Sequence, residues 1–369
     1  MTGLSYEVAG TDGAARAGVV TTARGSFRTP CFMPVGTRGA VRTLTSADLE
    51  DLGAEVVLAN TYHLMLRPGA DAVAALGGIH GFASWPGHVL TDSGGYQVFS
   101  LAPKVDDDGV TFRSTYDGSL HRLTPEDAVT VQRALGADIQ MVLDVCTALP
   151  AAPDVVALAV DRTAAWAARA RHAHLASENP TGQALFGIVQ GGVDVGLRAE
   201  SARRTVALDF DGYGIGGLSV GEPRDEMLPA LAAAVAELPV DRPRYLMGVG
   251  DPVGLVEAVT LGIDMFDCVL PTRLGRHGTA LSSTGRVRLR NAVHATEDAP
   301  LDAACRCAVC ARWSRAYLRH LLMVGEPTAA RLLTIHNLSW LLALVARIRE
   351  AILAGRLDAV RAEVAMAWD

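Results

Sequence analysis

The sequence predicts an α/β protein, an irregular (β/α)8 barrel with a cysteine-rich subdomain appended after the eighth strand. Eight short apolar runs, bounded by glycine or polar residues, alternate with segments of helical periodicity, and the alternation stops where three cysteines crowd into six residues. Strands separated by helices pair in parallel because the crossover returns the chain to the same end of the sheet, and eight such units close a barrel.

In order, the expected strands are 31–35, 55–59, 88–91, 139–143, 184–189, 212–216, 244–247 and 263–266. Short continuous apolar runs suit strands covered on both faces. The helical partners are expected at 46–52, 126–135, 155–176, 196–207, 226–238 and 252–261. After the third strand, 106–123 reads as a β-hairpin insertion, with VTFRS and SLHRL flanking the turn sequence Tyr116-Asp117-Gly118. Thr124 and Asp127 then resemble a capping box opening a helix. The segment 291–337 carries the cysteines on a loop followed by helical pattern, and the final thirty or so residues, rich in Leu, Ala and Val at helical spacing, read as closing helices. Residues 1–369 are thus expected to form one barrel unit with two additions.

Half of the 369 residues are apolar and a fifth are charged, a profile that excludes a disordered chain. No basic-plus-apolar leader opens the sequence and no uninterrupted apolar stretch suits a bilayer, so a cytoplasmic protein without a membrane span is expected. A net charge of −7 speaks against a phosphate-rich partner. The charge is uneven, however. Between Cys305 and Arg331 the only acid is Glu326, against Arg306, Arg312, Arg315, Arg319 and Arg331, with Arg273, Arg276, Arg286, Arg288 and Arg290 upstream. On charge alone two readings stay open: a local basic face, or arginines that solvate helix surfaces.

In a (β/α)8 barrel the site forms at the C-terminal strand ends. Those ends carry Asn60, Asp92, Asp144, Gln190, Gly216-Gly217, Met247-Gly248 and Asp267. One aspartate there is an ordinary helix cap. Three at three strand ends point to carboxylate chemistry at a shared mouth. Beside Asp92, Gly94 and Gly95 allow close backbone approach and Tyr96 offers a ring face. Asp267 is followed by Arg273 and Arg276 in a stretch punctuated by proline and glycine. A carboxylate can attack a sugar's anomeric carbon, and arginines hold phosphates.

Cys305-x-Cys307-x-x-Cys310 followed by His336 is the strongest chemical signal. Three thiolates and one imidazole fill a tetrahedral zinc shell and leave no place for water, which marks a structural site, a zinc-binding subdomain after the eighth strand. Without an export leader, metal is favoured over disulfides. His63, Cys31, Cys146 and Cys268 read as packing residues.

The stretches TPCFMPVGT (29–37), NTYHLMLRPG (60–69), LTDSGGYQVFSL (90–101), GYGIGGLSVGE (212–222), YLMGVG (245–250), DMFDCVLPTR (264–273), CRCAVC (305–310) and IHNL (335–338) follow one another as in the bacterial-type tRNA-guanine transglycosylases, which the chain resembles over nearly its whole length. The resemblance implies a pentosyltransferase that exchanges the wobble guanine of tRNA for a free 7-deazaguanine base in queuosine biosynthesis. It implies one structural Zn2+ per chain and a homodimer. It also implies that Asp267 is the nucleophile and Asp92 the general acid/base. Asp144, Gln190 and the Gly217 backbone would read the base edge, Tyr96 and Met247 would sandwich its faces, and Arg273 and Arg276 would hold the RNA. One pocket used twice implies ping-pong kinetics.

Two departures from the family pattern stand out. Val145 replaces a common Glu and cannot accept a hydrogen bond from the incoming base, and Ala148-Leu149 replace Pro-Tyr. Ser219, Val220 and Glu222 follow the bacterial pattern, which favours prequeuosine base over the larger queuine. The alternatives are a transglycosylase that prefers queuine and a non-catalytic tRNA-binding partner subunit; retention of both Asp92 and Asp267 speaks against the latter.

Overall fold

The computed structural model describes residues 3–179 and 181–368, so that residues 1, 2, 180 and 369 of the unit expected over 1–369 lie outside the described residues. An antiparallel sheet absent from the sequence expectation comes first: β1 (Leu4–Asp12), β2 (Ala15–Thr22) and β3 (Gly25–Thr29). β1 is mostly exposed or half-exposed and carries little apolar signal. The Asp12-Gly13 turn, with Gly13 at a φ of 60°, was the available clue.

The barrel follows. Its first strand is split at Pro34, which has no N–H to give the ladder, into β4 (Cys31–Met33) and β5 (Val35–Gly36). β6 (Val56–Ala59) and β7 (His88–Thr91) come next, then an antiparallel insertion of β8 (Lys104–Asp106), β9 (Gly109–Arg113) and β10 (Leu120–Leu123). β11 (Ile139–Met141), β12 (Ala184–Val189), β13 (Gly212–Ile215), β14 (Arg244–Leu246) and β15 (Met265–Asp267) complete the parallel sheet. β15 pairs with β4 and β5 pairs with β6, so the two halves of the split strand join the ends of the sheet. All eight expected strands are present, most of them shorter by one or two residues. Met33, Leu90, Phe186, Ile215, Leu246 and Phe266 fill the core as buried side chains.

The N-terminal sheet is tied to the end of the barrel remote from the strand C-termini. Asp264, fully buried just before β15, accepts hydrogen bonds from Tyr6 Oη (2.8 Å), Arg16 Nε (3.2 Å) and the Arg244 amide (2.7 Å), and Arg16 Nη2 pairs with its second oxygen. A buried ion pair is tolerated where, as here, every lone pair is engaged.

The expected helices all form, within about two residues of their expected ends. The capping box is made: Thr124 Oγ1 accepts from the Asp127 amide at 3.1 Å, and Asp127 accepts from the Thr124 amide at 3.0 Å. Each such cap contributes about 1 kcal/mol. The insertion has three strands rather than two, because Lys104–Asp106 also pairs with β9.

Beyond β15, a hairpin of β16 (Thr279–Ser282) and β17 (Gly285–Arg288) joins the cysteine segment and helix Arg315–Met323 in a separate apolar cluster that includes Ala280, Leu289, Val309, Leu318 and Leu333. This cluster begins before position 291. Helix Pro327–Leu353 follows, then Leu357–Trp368. The 27-residue helix is long and apolar enough to cross a membrane by length and composition. Its Leu338, Leu341, Leu344 and Ile348 pack into the barrel core, however, and Arg349 Nη1 donates to the carbonyls of Gly18 (2.7 Å) and Thr29. Part of the expected basic stretch is also structural: Arg315 pairs with Glu297 at 2.8 Å and Arg331 with Asp48 at 2.6 Å.

Candidate active site and metal centre

The strand ends open into a cavity of about 500 Å³. Asp92, Tyr96, Asp144, Gln190, Gly217, Met247, Asp267 and Arg273 all line it; Arg276 does not, but follows Arg273 on the helix Leu270–Arg276. Arg273 is exposed, Arg276 half-buried, and the charges of Arg42 and Arg273 bear on Arg276.

The carboxylates differ in how they are held. Asp92, directly after β7, has both oxygens engaged: Oδ1 accepts from the amides of Thr61 (2.9 Å) and Gly94 (3.1 Å), and Oδ2 accepts from Gln97 Nε2 (3.0 Å) and Asn60 Nδ2. Asp267, the last residue of β15, uses one oxygen: Oδ1 accepts from Tyr245 Oη (2.6 Å) and the Gly248 amide (2.8 Å). Among the described residues nothing donates to its Oδ2. Burial raises both carboxyls above the ordinary range, against the hydrogen bonds that favour the anion. Burial likewise pushes Asp144 up to about 6, against the Gln190 hydrogen bond of 2.5 Å and helped by the Asp92 charge.

Glycine is required where the wall comes closest. A Cβ on Gly217, whose φ is +64°, would lie 2.2 Å from Gln190 Oε1, and one on Gly216 would lie 2.8 Å from Gln190 Nε2. Of the anchoring residues, Asn60 was noted at its strand end, whereas Gln97 and Tyr245 were not singled out, although both sit inside the quoted motifs. Three residues read as packing also line the cavity and are partly buried: His63, on the helix Thr61–Leu66, packs against Tyr62 and Tyr116 with Nδ1 2.8 Å from Tyr116 Oη, Cys268 packs against the barrel core, and Cys146 follows Val145 in the loop after β11. Cys31 is buried as expected. Val145 faces away from the cavity. It is buried with Tyr62, Val98 and Trp166 on the far side of the wall from Asp144, so a polar side chain at 145 is not needed to line this pocket.

Cys305, Cys307, Cys310 and His336 come together with their ligand atoms within 4.8 Å of one another. His336 Nδ1 lies 3.8, 3.5 and 3.3 Å from the three sulfurs in chain order. A tetrahedral ion with N and S ligands at ordinary lengths puts N and S about 3.5 Å apart. The Leu281 carbonyl, 2.7 Å from His336 Nε2, accepts that nitrogen's proton and leaves Nδ1 free to bind. The four side chains therefore fit one metal ion.

A closed parallel barrel with three aspartates lining a cavity at its C-terminal mouth, and a separate Cys3His centre appended after the last strand, defines a barrel protein with a carboxylate site and a distinct metal-binding cluster. The family model for queuine tRNA-ribosyltransferase matches residues 12–369. The chain is 53% identical over 364 residues to the queuine tRNA-ribosyltransferase of Desulforudis audaxviator, covering 97% of each. It is 52% identical over 351 residues to that of Moorella thermoacetica, covering 95% of this chain and 93% of the relative. It is 53% identical over 357 residues to that of Symbiobacterium thermophilum, at 96% and 88%. The chain belongs to the queuine tRNA-ribosyltransferase family.

Proposed function

We propose that this chain is a tRNA-guanine transglycosylase that replaces the wobble guanine of tRNA with a 7-deazaguanine, prequeuosine base ahead of queuine, through a ribosyl-aspartate on Asp267. The observation that carries the mechanism is the asymmetry of the cavity-lining Asp267: Tyr245 and Gly248 hold Oδ1, while Oδ2 has no donor among the described residues. Oδ2 attacks the anomeric carbon, the glycosidic bond breaks, and its electron pair goes to the departing guanine, which takes a proton from Asp92. The incoming base then loses its ring proton to Asp92 and attacks the same carbon. The carbon–oxygen bond breaks and the Asp267 carboxylate is restored. Burial raises Asp92 toward its protonated form, against four donors that favour the anion and fix its position, which suits a group that gives and takes back one proton.

Asp144 and Gln190 meet the polar edge of the base, and Tyr96 and Met247 its faces. Zinc is the ion that three thiolates and an imidazole favour, and Cys305, Cys307, Cys310 and His336 would hold it structurally, away from every reacting atom. The enzyme would act as a cytoplasmic homodimer. The deciding experiment supplies tRNA carrying labelled guanine and lets prequeuosine base and queuine compete for exchange. Preferential release of label by prequeuosine base supports the reading, and no release with either base refutes it.

Two further outcomes follow. Arg273→Ala and Arg276→Ala should each weaken tRNA binding and lower the slope of log affinity against log salt by about one, as expected for a lost phosphate contact; an unchanged slope removes the assignment. Affinity for free base should be constant above about pH 7 and fall about tenfold per unit as pH drops below about 6, since protonated Asp144 cannot accept from the base's donors. Inhibition constants measured between pH 5 and 8 check this, with Asp144→Asn flattening the profile.

A further inference from the structure

Arg198 lies on the helix Val195–Val206, where an arginine ordinarily reaches water, yet it is fully buried. Its nearest partners are all backbone carbonyls. Nε donates to Gly192 O (2.7 Å), Nη1 to Val189 O (3.1 Å) and Gly216 O (2.7 Å), and Nη2 to Gly217 O (3.0 Å). No ion pair to it is found among the described residues. A buried charge is costly, so a guanidinium spent on carbonyls holds something that must not move.

What it holds is the glycine wall of the cavity. In a trans peptide the C=O and N–H point in opposite directions. Turning the Gly216 and Gly217 carbonyls onto Arg198 therefore turns the amides of Gly217 and Leu218 away from it. Both residues are buried and line the cavity, whereas Arg198 does not. Among the described residues neither amide donates a hydrogen bond within the protein. Buried unpaired N–H groups are rare and point to an absent acceptor.

We infer that Arg198 is a positioning residue that aims the Gly217 and Leu218 amides at the carbonyl oxygen of the bound base. This rests on the transglycosylase reading above. On the polar edge of guanine or a 7-deazaguanine, the ring N–H and amino group are donors that suit Asp144, and the carbonyl is the acceptor left for backbone N–H groups. The guanidinium behind these peptides also polarises them, which strengthens donation on the opposite side.

The test replaces the base's oxygen with sulfur. 6-Thioguanine keeps the donors of guanine but accepts a hydrogen bond poorly, whereas hypoxanthine keeps the carbonyl and lacks the amino group. Wild-type enzyme should favour guanine over 6-thioguanine about tenfold in inhibition constant, the worth of one good hydrogen bond. Arg198→Lys and Arg198→Gln, checked for folding by circular dichroism and metal content, should bring this ratio to within about twofold while leaving the preference for guanine over hypoxanthine unchanged. Equal affinity of the wild type for guanine and 6-thioguanine, retention of the ratio in the variants, or equal loss of both preferences overturns the inference. Failure of both variants to fold assigns Arg198 to the fold and overturns it too. Absence of guanine exchange in the wild type would instead refute the functional reading itself.

Discussion

Asp267→Asn should abolish base exchange, by at least on the order of 10⁴-fold, the loss typical of removing a residue that bonds covalently to substrate. The substitution keeps the side chain's size and leaves an oxygen to accept from Tyr245 and Gly248, so folding and metal content should survive. With wild-type protein, tRNA and a base analogue that stalls the second half-reaction, a denaturation-resistant protein–RNA adduct should accumulate, and peptide mapping should place it on Asp267. An adduct on Asp92, or one that persists in Asp267→Asn, would reverse the assignment. Asp92→Asn should instead slow turnover through proton transfer, by roughly 10²- to 10⁴-fold, and still permit the adduct to be trapped.

Cys307→Ala should reduce zinc from about one ion per chain to a trace and destabilise residues 279–333 in particular. Structural zinc binding is worth about 10–16 kcal/mol in small domains, far more than the burial of one thiol. Cys307 also packs among Val309, Leu318 and Leu333, so loss of the ion removes a staple from an apolar cluster too small to stand by itself. Elemental analysis and limited proteolysis read the two effects. A variant that lost zinc and kept full protease resistance in this segment would show that the apolar cluster suffices.

The barrel was legible because its strands are short apolar runs, several closed by a polar residue that then lines the cavity: Asn60, Asp92, Gln190 and Asp267 all fall within a residue of a strand end. The Cys3His cluster was legible because the cysteine spacing is local and a histidine, His336, follows in the helix Pro327–Leu353. What escaped depended on contacts between distant parts of the chain. Arg198 sits in an amphipathic helix whose sequence gives no hint that its charge turns inward onto four carbonyls. The N-terminal sheet lacks the continuous apolar run that marked the barrel strands. Cys146, Cys268 and His63 were assigned by residue type, whereas their place on the cavity wall depends on the paths of the segments after the strands, which sequence periodicity does not encode. Val145 shows the converse. Its departure from the family pattern drew attention to base preference, yet it sits beside Asp144 with its side chain on the opposite side of the wall.

Asp264 has a further consequence during protein synthesis. Its partners Tyr6 and Arg16 emerge from the ribosome 258 and 248 residues before it does. At about 5–20 residues per second that interval is roughly 12–50 s. For that time β2 and β3 have no barrel to cover, β4 has no eighth strand to pair with, and an arginine destined for the interior waits in water. The half-made barrel therefore exposes an open parallel sheet edge until almost three quarters of the chain is translated, and in that interval its unpaired strands are open to pairing with another chain.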